Sequence, residues 1–192
     1  GDREVQGQDL RMLATLADQS GDPGRQAEIA IRRAQWAGSR RDPEAAIDAA
    51  DKALTLAKIT GDVGIEALSH LYKGTIGAQT VHADPEETIQ HYEEALTLAR
   101  AAHLRRLEAQ VLREYGIWLS ADPEKEGTRI LQDALRIYRE INDRVGEARV
   151  TGALSSTYMR SGDLDRARRF GEKALQFDRE VGNRMEEGYV QG

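Results

Sequence analysis

The chain of 192 residues contains no cysteine. This absence excludes disulfide bonds and every metal site built on thiolates, and it is compatible with a reducing compartment. No apolar run approaches the about 18 residues that a membrane-spanning helix needs. The N-terminus also lacks the basic-then-apolar pattern of a signal peptide. We therefore expect a soluble, cytoplasmic protein without a membrane partner.

Catalytic motifs are missing as well. No glycine-rich segment is followed by Lys and Ser or Thr, so no phosphate-binding loop is predicted. The four histidines, His70, His82, His91 and His103, form no His-Glu-x-x-His pair, and we expect them on helix faces and in turns as ordinary packing or surface residues. Adjacent acidic residues diverge on a helix, so paired carboxylates are not indicated. The sequence predicts no enzyme activity, no cofactor and no metal.

Neither sign of charge dominates. The chain has 27 Lys and Arg against 33 Asp and Glu, a net charge of −6. The two signs alternate along the chain instead of forming blocks, which argues against a nucleic-acid partner.

Residues 142–182 have the pattern of a helical hairpin. Apolar residues three, four and seven apart form one stripe on each of two helices, and glycine-containing turns bound them. The turn that ends this hairpin recurs upstream at spacings of 40, 39, 42 and 40 residues. Its copies are Gly182-Asn183, Asn142-Asp143, His103-Leu104, Gly61-Asp62 and Gly21-Asp22. A second marker, Gln26, Glu66, Glu108, Glu147 and Glu187, follows in phase. A repeat of this length indicates stacked supersecondary units.

The repeat predicts the organisation of the whole chain. We expect a single solenoid with a lone helix at 2–20, complete repeats at 21–60, 61–102, 103–141 and 142–181, and the start of a further repeat at 182–192. All four prolines follow an aspartate, and three of them open the second helix of a repeat within Asp-Pro-Glu, at 42–44, 84–86 and 122–124. The half-repeats at both ends suggest a piece of a longer protein.

The repeat resembles the tetratricopeptide repeat. The resemblance rests on Ala-Leu late in each second helix and on a small residue at the eighth position of each first helix: Ala34, Gly74, Gly116 and Ser155. The period near 40 is similar to the longer repeats of kinesin light chains, cell-polarity adaptors and the sensor regions of bacterial signalling-ATPase regulators. The resemblance implies an all-α fold, a right-handed superhelix of antiparallel helix hairpins whose first helices line a concave face.

A candidate partner-binding face follows from the resemblance. The concave positions include Arg32, Gln35, Tyr72, Thr75, Gln110, Arg113, Arg149, Ser156 and Arg160. The arginines among the concave positions outnumber the acidic residues, Glu28 and Glu114, by two. Because arginine pairs bidentately with carboxylate, we expect a preference for an acidic segment. The alternative is that these arginines only solubilise the inner face.

Trp36 and Trp118 occupy the same place in their repeats. Core packing is the favoured interpretation, and a pair of aromatic anchors in a ligand groove is the alternative.

The leading functional hypothesis is a non-enzymatic protein–protein interaction scaffold that binds a peptide or partner segment on its concave face. The alternative is a ligand-sensing or autoinhibitory arm of a multidomain signalling ATPase or transcriptional regulator. Self-association through uncapped ends, at helix 2–20 and residues 184–192, is a third possibility.

Overall fold

The computed structural model describes residues 2–121 and 126–190, and within this part it gives only the backbone of 2–7, 178 and 181–190. The described residues form nine α-helices and no strand. They are α1 Asp2–Ser20, α2 Pro23–Ser39, α3 Pro43–Thr60, α4 Val63–Gln79, α5 Pro85–Ala101, α6 Arg105–Leu119, α7 Gly127–Glu140, α8 Arg144–Arg160 and α9 Leu164–Val190.

The helices pack as consecutive antiparallel pairs, which confirms the all-α hairpin architecture. They fall into two compact units, unit 1 at Gly1–Leu104 and unit 2 at Arg105–Gly192. In unit 1, α2 pairs with α3 and α4 pairs with α5, while α1 packs on α2, and α4 contacts both α3 and α2. In unit 2, α6 pairs with α7 and α8 pairs with α9, while α8 contacts both α7 and α6. The single solenoid and its handedness stay predictions.

Aspartate caps explain where the helices begin. The carboxylate of Asp62, for example, accepts a hydrogen bond from the backbone N–H of Ile65 at 2.9 Å, which satisfies one of the free donors of the first helical turn. The same kind of cap starts five other helices, at Asp22, Asp42, Asp84, Asp143 and Asp163. The Asp-Pro-Glu start predicted at 122–124 lies outside the described residues.

The repeated exit turns share one backbone conformation. Gly21 and Gly61 have φ values of 63° and 71°, and His103 and Asn142, at the equivalent places, both have φ 55°. Residues other than glycine rarely adopt this left-handed backbone conformation. His103 and Asn142 adopt it nevertheless, so the turn keeps its geometry where glycine is replaced. The sequence interpretation of His103 as a weakened copy of the turn is therefore confirmed.

The exit turn predicted at Gly182-Asn183 is wrong. Helix α9 continues through both residues and ends at Val190, so the described chain starts no further repeat at 182. A single glycine costs a helix only about 1 kcal/mol. The residues that follow, Arg184 to Glu187, are mostly strong helix formers, and they favour continuation over a turn.

Small residues let the helices of a pair approach closely. A Cβ placed on Gly116 would lie 2.9 Å from Cγ of Leu131 and 3.1 Å from the carbonyl oxygen of Gly127, so only glycine fits without a shift. In the hairpin of α4 and α5, Gly74 packs in the same way against the ring of the fully buried Tyr92.

A repeated ion-pair clamp closes the hairpins of unit 2. Arg105, the first residue of α6, binds both Glu108 and Glu140, the last residue of α7. Arg144 begins α8 and repeats the arrangement 39 residues later, with Glu147 at 2.9 Å and Glu180 at 3.0 Å. At Glu108 and Glu147, the second sequence marker is therefore the buried carboxylate of a clamp.

Further arginine side chains bind the clamp carboxylates. Glu147 is 6% exposed and also accepts a hydrogen bond from Nε of Arg139 at 2.7 Å. The hydrogen bond from Arg105, followed by that from Arg136, lowers the pKa of the Glu140 carboxyl below its usual value. These contacts connect the start and end of a hairpin to each other and one hairpin to the next.

Candidate functional site

A cleft of about 560 Å³ lies between α1 and α2 in unit 1. Its wall combines apolar side chains with polar ones, as small binding sites commonly do. The residues around it are Asp9, Leu10, Leu13, Arg32, Gln35, Trp36 and Ser39. Leu13 is 39% exposed and Trp36 is half-buried, so the apolar part of the wall is open to a ligand.

A second cleft of about 610 Å³ shares Ser39 with the first. It extends over the turn between α2 and α3 to the end of α4. The residues around it are Gly38, Ser39, Arg41, Asp42, Pro43, Ile76, Gln79 and Thr80. We call the two together the Ser39 cleft.

Two cations face the Ser39 cleft without an ionic partner. Arg32 and Arg41 are exposed, and neither forms an ion pair with any residue of the described part of unit 1. One acidic residue of the cleft, Asp42, is less available, because it already caps α3 through a hydrogen bond from Ala45 N–H. Asp9 is the other carboxylate on its wall. Two guanidinium groups, against the one carboxylate that caps no helix, leave a surplus of one positive charge, which favours an anionic ligand.

Trp36 combines the two roles that the sequence left open. Its ring packs against the small core cluster of Ala37, Ala46 and Ile76, and it also forms part of the cleft wall. The guanidinium carbon of Arg40 lies 5.1 Å from the ring centroid, a cation–π contact that fixes one side of the indole. In unit 2, Trp118 is half-buried and stacks on Tyr115 with centroids 6.3 Å apart.

The structure brings two of the four predicted unit 1 site residues into the cleft. Arg32 and Gln35 lie on its wall. Tyr72 is half-buried instead and packs against two alanine-rich core clusters. Thr75 is half-buried and donates its hydroxyl hydrogen bond to the carbonyl of Leu71 at 2.8 Å. These two residues support the helix packing beside the cleft.

The five predicted residues of unit 2 differ in how accessible they are. Arg149 and Ser156 are exposed on α8, and Arg149 forms no ion pair with a described residue. Arg160 is exposed and donates a hydrogen bond to Oγ of Ser120 at 2.7 Å. Gln110 is half-buried on α6. The α8 residues are therefore the ones that can reach a partner without rearrangement.

Arg113 lies in a different environment from the one expected of a groove residue. Its side chain is only 16% exposed and forms an ion pair with Glu114. It also hydrogen-bonds the hydroxyl of Tyr138, whose pKa is nevertheless raised by burial. Replacing Arg113 would therefore disturb the packing of α6 on α7 as well as any partner contact.

The sequence did not identify several residues of the cleft wall. Leu13 belongs to the lone helix predicted at 2–20, and Gly38, Ser39 and Arg41 lie within the repeat predicted at 21–60, with no site role. The hairpin arrangement could have identified these residues, because the turn between α2 and α3 lies beside α4, the first helix of the next hairpin, where Ile76 lies.

Other chemistry finds little support in the described residues. They contain no group of three histidine, cysteine or acidic side chains that could hold a metal ion. Among them, no helix combines the length and apolar character that crossing a membrane requires.

Consecutive antiparallel helix pairs with small residues at their crossings define a tetratricopeptide-like fold. Among solved structures, the chain is similar to BtubC (BKLC) from P. vanneervenii, a kinesin light chain-like tetratricopeptide-repeat protein. The TM-score is 0.73 at 17% sequence identity, over 94% of this chain and 77% of that chain. Identity at this level establishes the fold alone. No protein-family model matches the chain, and no curated protein matches its sequence.

Proposed function

We propose that the chain is a non-enzymatic protein-interaction scaffold whose unit 1 holds an extended acidic peptide segment in the Ser39 cleft. The observation that carries the proposal is that Leu13 and Trp36 line one part of the cleft together with the unpaired Arg32, while the unpaired Arg41 lines the part that shares Ser39. An apolar side chain of the segment packs on Leu13 and Trp36, while its carboxylates meet the guanidinium groups.

The tetratricopeptide-like fold supports a peptide over a small molecule. First helices of such hairpins present successive side chains along one face, so a ligand that follows the face gains contacts from several repeats. In unit 2, the exposed Arg149 and Arg160 of α8 offer cations for the same kind of acidic segment. We propose this second surface separately from the Ser39 cleft.

Fluorescein-labelled peptides test the proposal directly. A panel in which glutamate flanks leucine or phenylalanine is compared with counterparts that carry glutamine in place of glutamate. Fluorescence anisotropy should show saturable binding of the acidic set only. Binding should weaken as salt is raised, because the charges are solvent-exposed.

Matched variants locate the site. The double variant Arg32→Gln, Arg41→Gln should weaken binding about tenfold, from roughly 0.7 kcal/mol for each partly exposed pair. Arg33→Gln removes another exposed arginine of α2 that is not among the residues lining the cleft, and it should leave affinity unchanged. Equal loss in both variants, or equal binding of the glutamine peptides, would refute a carboxylate-reading cleft.

The fluorescence of Trp36 tests independently where the peptide binds. In a Trp118→Phe background, Trp36 is the remaining tryptophan of the two in the chain. Its emission should shift when an acidic peptide binds, since the ring forms part of the cleft wall. An unchanged spectrum at saturation would place the peptide elsewhere. The alternative function, a sensing arm of a larger regulator, stays a prediction.

A further inference from the structure

His70 of α4 and His91 of α5 face each other across their hairpin. Their ring centroids are 5.2 Å apart, and the two Nδ1 atoms are separated by 3.1 Å. At this distance one nitrogen donates and the other accepts, so a single proton is shared between the rings. Two nitrogen lone-pair positions therefore converge on one point between the helices.

The separation is close to what a tetrahedral metal ion requires. Zinc binds imidazole nitrogen at about 2.0–2.1 Å, so two such ligands at a tetrahedral angle lie about 3.3 Å apart. A small rotation of the rings, with the nitrogens moving apart by a few tenths of an ångström, would let an ion take the place of the shared proton. That proton moves to Nε2 of the ring that had donated it, so both rings stay neutral and bind through Nδ1.

The outer side of His91 adds a second observation. Its Nε2 atom is buried and has no hydrogen-bond partner within the described residues. Oε1 of Glu87, one turn away on α5, lies 3.7 Å from this nitrogen, and the Glu87 side chain is 68% exposed and can move. Histidines that bind a metal through one nitrogen typically donate the other N–H to a carboxylate. Glu87 is placed for that role.

The surroundings keep both rings available as ligands. Burial lowers the pKa of His70 and of His91 below the usual value of 6.5, so both are neutral near pH 7 and can bind a cation. More carboxylates than ammonium groups surround the pair. The carboxylates are Asp51 of α3, Glu66 of α4, and Glu87 and Glu94 of α5, against Lys58 and Lys73. Lys73 is itself bound to Asp51 at 2.8 Å.

We propose that His70 and His91 form a two-histidine site for a divalent transition metal of the zinc class, which joins α4 to α5. The described part of the chain supplies no third ligand at this point, so water fills the remaining coordination positions. The site is separate from the Ser39 cleft and does not depend on peptide binding.

Zinc titration of the intact chain, followed by calorimetry, tests the proposal. We expect one ion per chain. The variant His70→Gln, His91→Gln should bind at least about tenfold more weakly. The matched control His82→Gln, His103→Gln removes the other two histidines, which are both exposed, and should keep the wild-type affinity. Equal loss in the two variants, or no uptake by the wild type at millimolar zinc, would overturn the site.

Imidazole nitrogen NMR of the wild-type chain keeps the test independent of variant folding. Zinc should shift the Nδ1 resonances of His70 and His91 and leave those of His82 and His103 in place. Shifts confined to His82 and His103 would count against the proposal, whatever the calorimetry of the variants gave.

Discussion

Substituting Gly146 by alanine should destabilise unit 2. Gly146 is buried in the first turn of α8, and a Cβ at this position would overlap the ring of Tyr138 on α7. Tyr138 is 4% exposed, so its ring has little room to withdraw. Overpacking of this kind typically costs about 1–3 kcal/mol. The better helix propensity of alanine recovers up to about 1 kcal/mol. We expect a net loss of about 1–2 kcal/mol.

Gly152 provides a control on the same helix. A Cβ at Gly152 meets nothing within 4 Å, so Gly152→Ala changes helix propensity without changing packing. It should stabilise unit 2 by about 0.5–1 kcal/mol. The same chemical substitution, made twice on one helix, should therefore act in opposite directions.

Urea unfolding measures the difference in free energy. In a Trp36→Phe background, Trp118 is the remaining tryptophan, and it reports on unit 2 because it lies on α6. The midpoint should fall for Gly146→Ala and rise for Gly152→Ala relative to the background. A Gly146→Ala protein at least as stable as the Gly152→Ala protein would show that Tyr138 does not restrict the position.

Two further predictions concern the carboxylates of the clamps. Glu147→Gln should lower the free energy of unfolding by about 1–3 kcal/mol, because it weakens charge-assisted hydrogen bonds from both Arg139 and Arg144 to a buried group. As a control, Glu172→Gln removes the charge of an exposed pair, and it should change that free energy by no more than about 0.5 kcal/mol in the same urea assay. The folded-state pKa of Glu140 is lowered from 4.5, so its contribution is present above pH 4.5 and is lost as the pH falls through the lowered pKa. Acid unfolding followed through Trp118 should therefore depend less on pH in Glu140→Gln than in the wild type, and an identical acid transition would contradict this.

The hairpins could be predicted because each depends on local chemistry. Aspartate caps, small residues at the crossings and a left-handed exit turn all recur at a fixed spacing, so one repeat explains the next. The exit turn at Gly182 failed because a turn is also set by what packs after it. Gly61 has φ 71°, and α4 packs back on α3 beyond it. At Gly182 the helix continues to Val190, and spacing alone could not distinguish the two cases.

The candidate site was less predictable, because it depends on side-chain partners across helices. Repeat position placed Arg32 and Arg113 in one group, yet Arg32 is exposed in a cleft while Arg113 is paired with Glu114. His70 and His91 are 21 residues apart and carry no motif in the sequence. Only the packing of α4 on α5 brings their rings together.

The contact from Arg139 to Glu147 has a consequence for engineering longer versions of unit 2. It spans eight residues, from the close of one hairpin to the opening of the next. If residues 105–143 were duplicated in tandem, Glu108 of the added copy would follow Arg139 at the same interval. The inserted hairpin would thus receive its electrostatic connection to its predecessor without any redesign.

The inserted hairpin would pack less well against its predecessor. Leu107 of the added copy would stand where Gly146 now stands, directly against Tyr138. A tandem duplication should therefore fold in register only when that one leucine is replaced by glycine. The size of one side chain thus decides whether a further hairpin can be added to unit 2.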